Sequence, residues 1–238
     1  MQMAVFSDVH GNLPALEAVI SDMAGHRLDE VFHLGDLVGY GPFPNEVINL
    51  VKARGIPGVM GNYDDGVGFE RDDCGCAYRD EAQRQLGHRS LNWTKAHVTT
   101  ENKEFLRSLP RELRFSHAGF EVLLVHGSPR RINEYLYEDR PDRSFKRLLD
   151  MGRCNVLLCG HTHLPYHKTI DGEHIINVGS VGKPKDCDPR ASYVILTLGE
   201  GLSVEFRRVS YDVERTARAI EASELPSDYA EMLRKGIG

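Results

Sequence analysis

Residues 3–12 read MAVFSDVHGN, and the fold is decided there. Met3 to Phe6 is short and continuously apolar, the pattern of a strand buried on both faces. Asp8 and His10 follow two apart, so both side chains can turn onto one point at the strand's end. Asn12 suits the cap of a following helix, with Pro14 in its first turn. Leu13, Leu16, Val19, Ile20 and Met23 then share one helical face, and Gly25 can close the helix. A buried strand that hands on ligand-type side chains and then a helix opens an α/β sheet. Such sheets place their sites at the carboxyl ends of strands.

The pattern repeats downstream. Val31 to Leu34 reads as a second strand leading to Gly35-Asp36. Pro44 opens a helix with Val47, Ile48 and Val51 inward and Gly55 after its last turn. Ile56 to Met60 reads as a third strand ending at Gly61-Asn62. This alternation predicts a parallel sheet with right-handed crossovers. Residues 64 to 109 break the rhythm. Asp72 to Thr100 is polar, mostly helical in pattern, and carries the only tryptophan, Trp93. A second helix runs from Glu101 to Leu109 and stops at Pro110. The stretch 65–110 is therefore a helical insertion that either covers the site or packs on the outside.

Leu113 to Ser116 and Phe120 to Val125 form a hairpin turning at Ala118-Gly119, and it delivers His126-Gly127. A helix over Asp142 to Met151 precedes a strand, Asn155 to Cys159, that leads to Gly160-His161-Thr162-His163. Tyr166 to Ile170, His174 to Val178, Ala191 to Leu198 and Leu202 to Val209 read as a mainly antiparallel group. Helices over Asp212 to Glu221 and after Pro226 finish the chain. Two strand groups with helices outside predict a four-layer α/β/β/α sandwich of two mixed sheets. No linker or repeat divides residues 1–238, which are expected to form one domain.

The net charge of −6 argues against a nucleic-acid coat or a binder of anionic membranes. It leaves a small anionic substrate open, because two divalent ions would invert the local field. No apolar run approaches the roughly 18–20 residues of a membrane span. The first strand begins at once, so no cleavable leader is expected. Five cysteines are odd in number and suggest no disulfide framework, so a reducing cytoplasm is the expected compartment.

The strand ends thus carry seven N and O ligands: Asp8, His10, Asp36, Asn62, His126, His161 and His163. A carboxylate such as Asp36 can bridge two cations about 3.5–4 Å apart. Asn62 offers a neutral amide oxygen. Imidazole and carboxylate without thiolate suit Mn, Fe, Zn, Co or Ni rather than an all-oxygen cage. Each fragment alone arises often by chance, whereas the ordered set is specific.

The order D-x-H, G-D, G-N-x-D, H-G and G-H-T-H resembles the calcineurin-like metallophosphoesterase superfamily. The layout is closest to its small prokaryotic phosphodiesterase branch, often labelled diadenosine-tetraphosphatase-like. The stretches from His126 to Arg130 and from Asn177 to Gly182 look like that branch as well. The resemblance implies that Asp8, His10, Asp36 and His163 hold one ion, and Asp36, Asn62, His126 and His161 the other. It implies two divalent transition-metal ions, Mn or Fe foremost, with a bridging hydroxide that attacks phosphorus in line with the leaving group. The implied partner is a small phosphorylated substrate such as a nucleotide.

The pattern departs from the family at one place. A His usually follows the Asn of G-N-x-D and serves the leaving group, but here the residue is Tyr63. Its ordinary pKa of about 10 makes it a poorer proton donor than an imidazolium near pH 7. Tyr63 is either a weak acid toward the leaving oxygen or an aromatic packed beside the metals. Asp64 orients Tyr63 or caps a helix. Substrates with good leaving groups, aryl esters or phosphoanhydrides, would follow. His88 and His97 read more readily as surface residues than as a substitute acid. Arg130 could fork onto a phosphate or pair on the surface. Lys183, Lys185 and Arg190 could steer an anion. Cys74-Gly75-Cys76 could bind a metal, form a redox pair or be ordinary thiols. The alternatives to a phosphodiesterase or nucleotide phosphatase are a non-catalytic scaffold on the same fold and a protein Ser/Thr phosphatase. A nuclease would call for a basic groove that the charge balance does not support.

Overall fold

The computed structural model describes residues 1–78 and 80–238. In chain order its elements are β1 (Gln2–Phe6), α1 (Leu13–Met23), β2 (Glu30–His33), α2 (Pro44–Arg54), α3 (Asn62–Gly68), α4 (Glu81–His97) and α5 (Thr100–Ser108). Then come β3 (Glu112–His117), β4 (Phe120–Val125), α6 (Asp142–Gly152), β5 (Val156–Cys159), β6 (Tyr166–Ile170) and β7 (Glu173–Asn177). The chain ends with β8 (Ala191–Leu198), β9 (Leu202–Val209), α7 (Val213–Glu221) and α8 (Asp228–Lys235).

The strands form two mixed sheets, ordered β2-β1-β8-β9 and β3-β4-β5-β7-β6. Alternation of side chains along each strand builds the layers. Met3 and Val5 of β1 and Val194 and Leu196 of β8 face Val122, Leu124, Val156, Leu158 and Ile176 of the other sheet. The opposite faces take helices. Ala4, Phe6, Tyr193 and Ile195 pack under α1 and α2, while Leu123, Leu157 and Ile175 pack under Phe145, Leu148 and Leu149 of α6. The result is the expected α/β/β/α sandwich.

Local signals explain the helix ends. Asn12 caps α1 by accepting from the Ala15 N–H at 3.3 Å, and Gly55 ends α2 in the left-handed conformation at φ 60°. Ala118 and Gly119 both take positive φ, the geometry of a tight two-residue hairpin turn.

Two expectations are corrected. The third strand, Ile56 to Met60, shrinks to a single bridge between His33 and Gly58. Pro57 has no N–H to continue a ladder, and the Met60 N–H turns away to the Pro110 carbonyl at 2.8 Å. The late strands also do not form one antiparallel group. β6 and β7 join one sheet, where β7 runs parallel to β5, and β8 and β9 join the other. The insertion's helices α4 and α5 pack against α2 and α3, while residues 71–78 form a loop that reaches Asn62. Among the described residues no helix is long and apolar enough to cross a membrane.

Candidate metal centre

The seven polar positions meet where the strand ends of both sheets converge, and all seven are buried. Five of them sit in the left-handed region: Asp8 (φ 55°), His10 (49°), Asp36 (51°), His161 (64°) and His163 (62°). Non-glycine residues there are strained by about 1–3 kcal/mol each and persist only where neighbours over-determine them. The loops supply that constraint by hydrogen-bonding one another. Asp8 N–H donates to the Gly35 carbonyl (3.0 Å), His10 to Asp36 (2.9 Å), Gly160 to His126 (2.9 Å) and Gly182 to Asp8 (2.9 Å).

The side chains form two adjoining clusters, Asp8–His10–His163 and Asp36–His126–His161, each with its ligand atoms within 4.8 Å of one another. One oxygen joins them. Asp36 Oδ2 lies 3.7 Å from His10 Nε2 and 3.4 Å from His126 Nε2. Its partner oxygen accepts from the Tyr63 N–H at 2.8 Å, which fixes the carboxylate's rotation. Asn62 Oδ1 stands 3.0 Å from His126 Nε2 and so completes the second cluster.

The donor chemistry fits a cation. His10, His126 and His163 each give their Nδ1 proton to a backbone carbonyl, of Val38, Leu34 and Lys183 respectively. Their Nε2 lone pairs therefore point inward. His10 Nε2 and His163 Nε2 face each other at 3.2 Å, and His126 Nε2 faces His161 Nδ1 at 3.2 Å. Asp8 Oδ1 is buried with no hydrogen-bond donor, 3.2 Å from His163 Nε2. Lone pairs set against lone pairs repel unless positive charge lies among them. Burial lowers His161 and His163 to about 3, so both are neutral imidazoles. Burial also acts against charge on His126, but Asp36 overrides it and raises the group to about 9, so without a cation a proton on its Nε2 supplies positive charge to this cluster and would leave when an ion binds.

Neighbouring groups hold this arrangement. Asp64 accepts N–H groups of Asp36 (2.8 Å), Leu37 (2.9 Å) and Gly61 (2.9 Å), so it braces the Asp36 loop and caps α3. Burial and the Asp36 charge push its carboxyl up to about 7 against those N–H groups. A Cβ on Gly61 would stand 2.1 Å from Asp36, so only glycine passes there. Asn177 does the same service for the G-H-T-H loop. Its Nδ2 donates to the Gly160 carbonyl (2.7 Å) and Thr162 Oγ1 (3.0 Å), and its Oδ1 accepts from Gly179 N–H (3.0 Å).

Tyr63 is buried in the helix-side core, its ring edge-on to His10 at 5.5 Å. Its hydroxyl is buried with no hydrogen-bond partner, and burial lifts its pKa well above 10. Asp64 does not touch that hydroxyl; its bonds go to backbone. Arg130 is half-exposed and paired with Glu134, which also takes Arg140 and Ser128. His97 is exposed and stacks on Trp93. Arg190 pairs with Asp188. Lys183 is 7% exposed, its ammonium 4.9 Å from the Tyr40 ring and 5.8 Å from the Tyr229 ring. Burial, with Lys185 nearby, pulls that ammonium well below the usual lysine value.

Sequence reasoning overlooked a pocket of about 70 Å³ walled by Tyr40, Tyr78, Tyr135 and Tyr229, with Lys183 and Cys76. It abuts the clusters on several sides. Tyr40 packs on the His10 ring (4.8 Å) and Tyr135 on the His161 ring (4.0 Å), and Cys76 Sγ accepts from Asn62 Nδ2 (3.2 Å). The only signal was the tyrosines near the motifs, Tyr40 after Asp36 and Tyr135 after His126.

Comparison with known proteins agrees with this geometry. The calcineurin-like phosphoesterase superfamily domain matches residues 1–201. An uncharacterized protein of Methanocaldococcus jannaschii is 34% identical over 252 residues, covering 98% of each chain. A solved metallophosphoesterase from Sphaerobacter thermophilus is 33% identical, with a TM-score of 0.79 over 100% of this chain and 99% of its own. A hypothetical protein from Pyrococcus horikoshii OT3, 23% identical, has the same fold at a TM-score of 0.86 over 99% and 98% of the two chains. The two buried candidate cation sites and these matches lead to one conclusion: the chain belongs to the calcineurin-like phosphoesterase superfamily and is a phosphoester hydrolase.

Proposed function

We propose that this chain is a dinuclear phosphodiesterase or nucleotide phosphatase that cleaves small substrates with good, flat aromatic leaving groups. The observation that carries the reading is the position of Asp36 Oδ2, within 3.4–3.7 Å of a histidine from each cluster. One carboxylate oxygen in that place suits a bridge between two ions. Asp8, His10, Asp36 and His163 would hold one ion, and Asp36, Asn62, His126 and His161 the other. Histidine and carboxylate donors favour Mn or Fe, with Zn, Co or Ni as substitutes. Such a pair of cations supplies an activated water as nucleophile and positive charge against the phosphoryl oxygens.

The protein's own groups set the preference for substrate. Tyr63 keeps its proton at neutral pH and is a poor acid toward a leaving oxygen, since burial raises its pKa. The leaving group must then depart with little protonation, as an aryl oxide or a phosphate does. The tyrosine-walled pocket beside the clusters suits a flat group, and Lys183 lines it as a hydrogen-bond donor. Its size, about 70 Å³, argues for part of a small molecule rather than a protein segment. Arg130 would serve the phosphate only on release from Glu134. The scaffold reading loses ground because every one of the seven positions keeps a metal-competent group.

Manganese-reconstituted protein tests the reading on aryl diesters, cyclic nucleotides, dinucleoside polyphosphates and phosphomonoesters. Turnover of the aryl diesters or polyphosphates well above alkyl diesters is expected. Equal turnover by wild type and Asp36→Asn, or none on any substrate with metal bound, refutes it.

A further inference from the structure

The loop from Arg71 to Tyr78 brings two thiols together beside the second cluster. Gly75 takes φ 70°, and this turn sets Cys74 Sγ and Cys76 Sγ 2.7 Å apart. Both are free thiols, Cys74 buried and Cys76 partly exposed. A disulfide needs about 2.05 Å between sulfurs, so only a small closure separates the pair from bonding. The loop is tied to the metal centre on the side of one cluster. Asn62 Nδ2 donates to Cys76 Sγ (3.2 Å) and to the Cys74 carbonyl (3.0 Å), and its Oδ1 faces His126 Nε2. Tyr135, which packs on His161, accepts from the Ala77 N–H, and Asn133 donates to the Gly75 carbonyl. Asn62, His126 and His161 all belong to the second cluster.

We infer that Cys74 and Cys76 form a redox-active dithiol that reacts with a small-molecule disulfide and, once oxidised, weakens the cation site built on Asn62. One of the two thiols, as its thiolate, attacks one sulfur of the small disulfide. A mixed disulfide forms and one small thiolate leaves. The other thiol, its proton passing to solvent, then attacks the protein sulfur of the mixed disulfide and releases the second small thiolate. Two protein thiols are oxidised by two electrons and one small disulfide is reduced to two thiols. Closure draws Cys76 Sγ toward Cys74 and away from Asn62 Nδ2. The amide that presents Oδ1 loses a fixing partner, and loss of such outer partners lowers metal affinity by about 10–100-fold.

The coupling to the cation rests on the function proposed above, but the thiol chemistry does not, and the test separates them. Full-length protein with Cys187→Ser, which removes the exposed thiol, is treated with oxidised glutathione under native conditions. It is then unfolded, alkylated and weighed. Four alkylated cysteines before treatment and two after are expected, with peptide mapping linking Cys74 to Cys76. Adding Cys74→Ala should instead trap a glutathione adduct on Cys76. Manganese titration should show the second ion bound about tenfold more weakly in the oxidised form and restored by dithiothreitol. Four alkylated cysteines after treatment overturn the dithiol. A disulfide with unchanged manganese binding overturns the coupling. No manganese binding in either state overturns the coupling and the dinuclear reading together, while the mass result still decides the dithiol.

Discussion

Asn177→Ala tests whether the G-H-T-H loop is held from behind. The Asn177 side chain is fully buried and satisfies three groups: the Gly160 carbonyl, Thr162 Oγ1 and the Gly179 N–H. Alanine leaves the Gly179 N–H without a partner, while the Gly160 carbonyl keeps the Thr162 N–H at 2.7 Å, and one such orphaned buried group costs about 1–3 kcal/mol. Thr162 Oγ1 keeps its contacts with Leu164 and adds little. The expected loss is about 1–3 kcal/mol, less if water enters the space. At a urea slope of about 2–3 kcal/mol per molar, the midpoint falls by roughly 0.5–1 M. The same loop carries His161 and His163, one from each cluster. Misplacement of ligands by even ~1 Å costs on the order of 10²-fold in rate, so kcat should fall with a weaker manganese affinity. Urea unfolding by circular dichroism and manganese titration check both effects. A midpoint within about 0.2 M of wild type, together with unchanged manganese affinity, would refute the bracing argument.

Other outcomes follow from the same geometry. Asp36→Asn should cut hydrolysis by at least about 10³-fold while far-ultraviolet circular dichroism stays native, because it removes the shared anionic oxygen and leaves the sheets intact. Tyr63→Phe should leave turnover of aryl diesters within about twofold and raise stability by up to ~1 kcal/mol, since the buried hydroxyl it removes has no partner. A tenfold loss of kcat on this variant would show that Tyr63 does chemistry. Removal of metal with a chelator should lower Tm by several degrees, with manganese restoring it in a concentration-dependent way. A Tm indifferent to manganese would count against the cation sites.

Much of this fold and site can be read from residues alone, and the failures have physical causes. Asp8, His10, Asp36, His161 and His163 were legible because apolar strands lead straight to them. Asn12 and Gly55 end helices as their chemistry dictates. Ile56 to Met60 looked like a strand from its apolar content, yet Pro57 lacks the N–H that a ladder requires. Helix α3 was illegible because its sequence, NYDDGVG, contains poor helix formers; Asp64 starts it by accepting the Gly61 N–H. The tyrosine pocket was hidden for another reason. Tyr40 and Tyr229 come from opposite ends of the chain, and only packing of α8 beside the Asp36 loop brings their rings to 4.9 Å. No local pattern records such a pairing.

The strain at the strand ends also has a direction. A site of seven buried polar side chains costs stability by itself, since the Nε2 atoms of His10 and His163 face one another and Asp8 Oδ1 has no donor. Five left-handed residues add to that cost. The surrounding loops hold these positions through backbone hydrogen bonds that do not involve the ligand atoms. The scaffold can therefore keep the geometry while the ligand atoms remain mutually repulsive, and that repulsion is relieved when positive charge enters. Binding energy is then not spent on building the site, because the folded chain has already supplied the geometry. Glycines such as Gly61 and Gly160, where a Cβ would strike Asp36 or Asp8, let the backbone come close enough for this. By this logic Gly160→Ala should damage manganese affinity more than it damages stability. The added methyl would meet Ser7 and Asp8 Oδ2 at 2.2–2.6 Å and push on a ligand directly. Equal losses of both, measured by manganese titration and urea unfolding, would mean that the loop is held by its ligands rather than by its backbone.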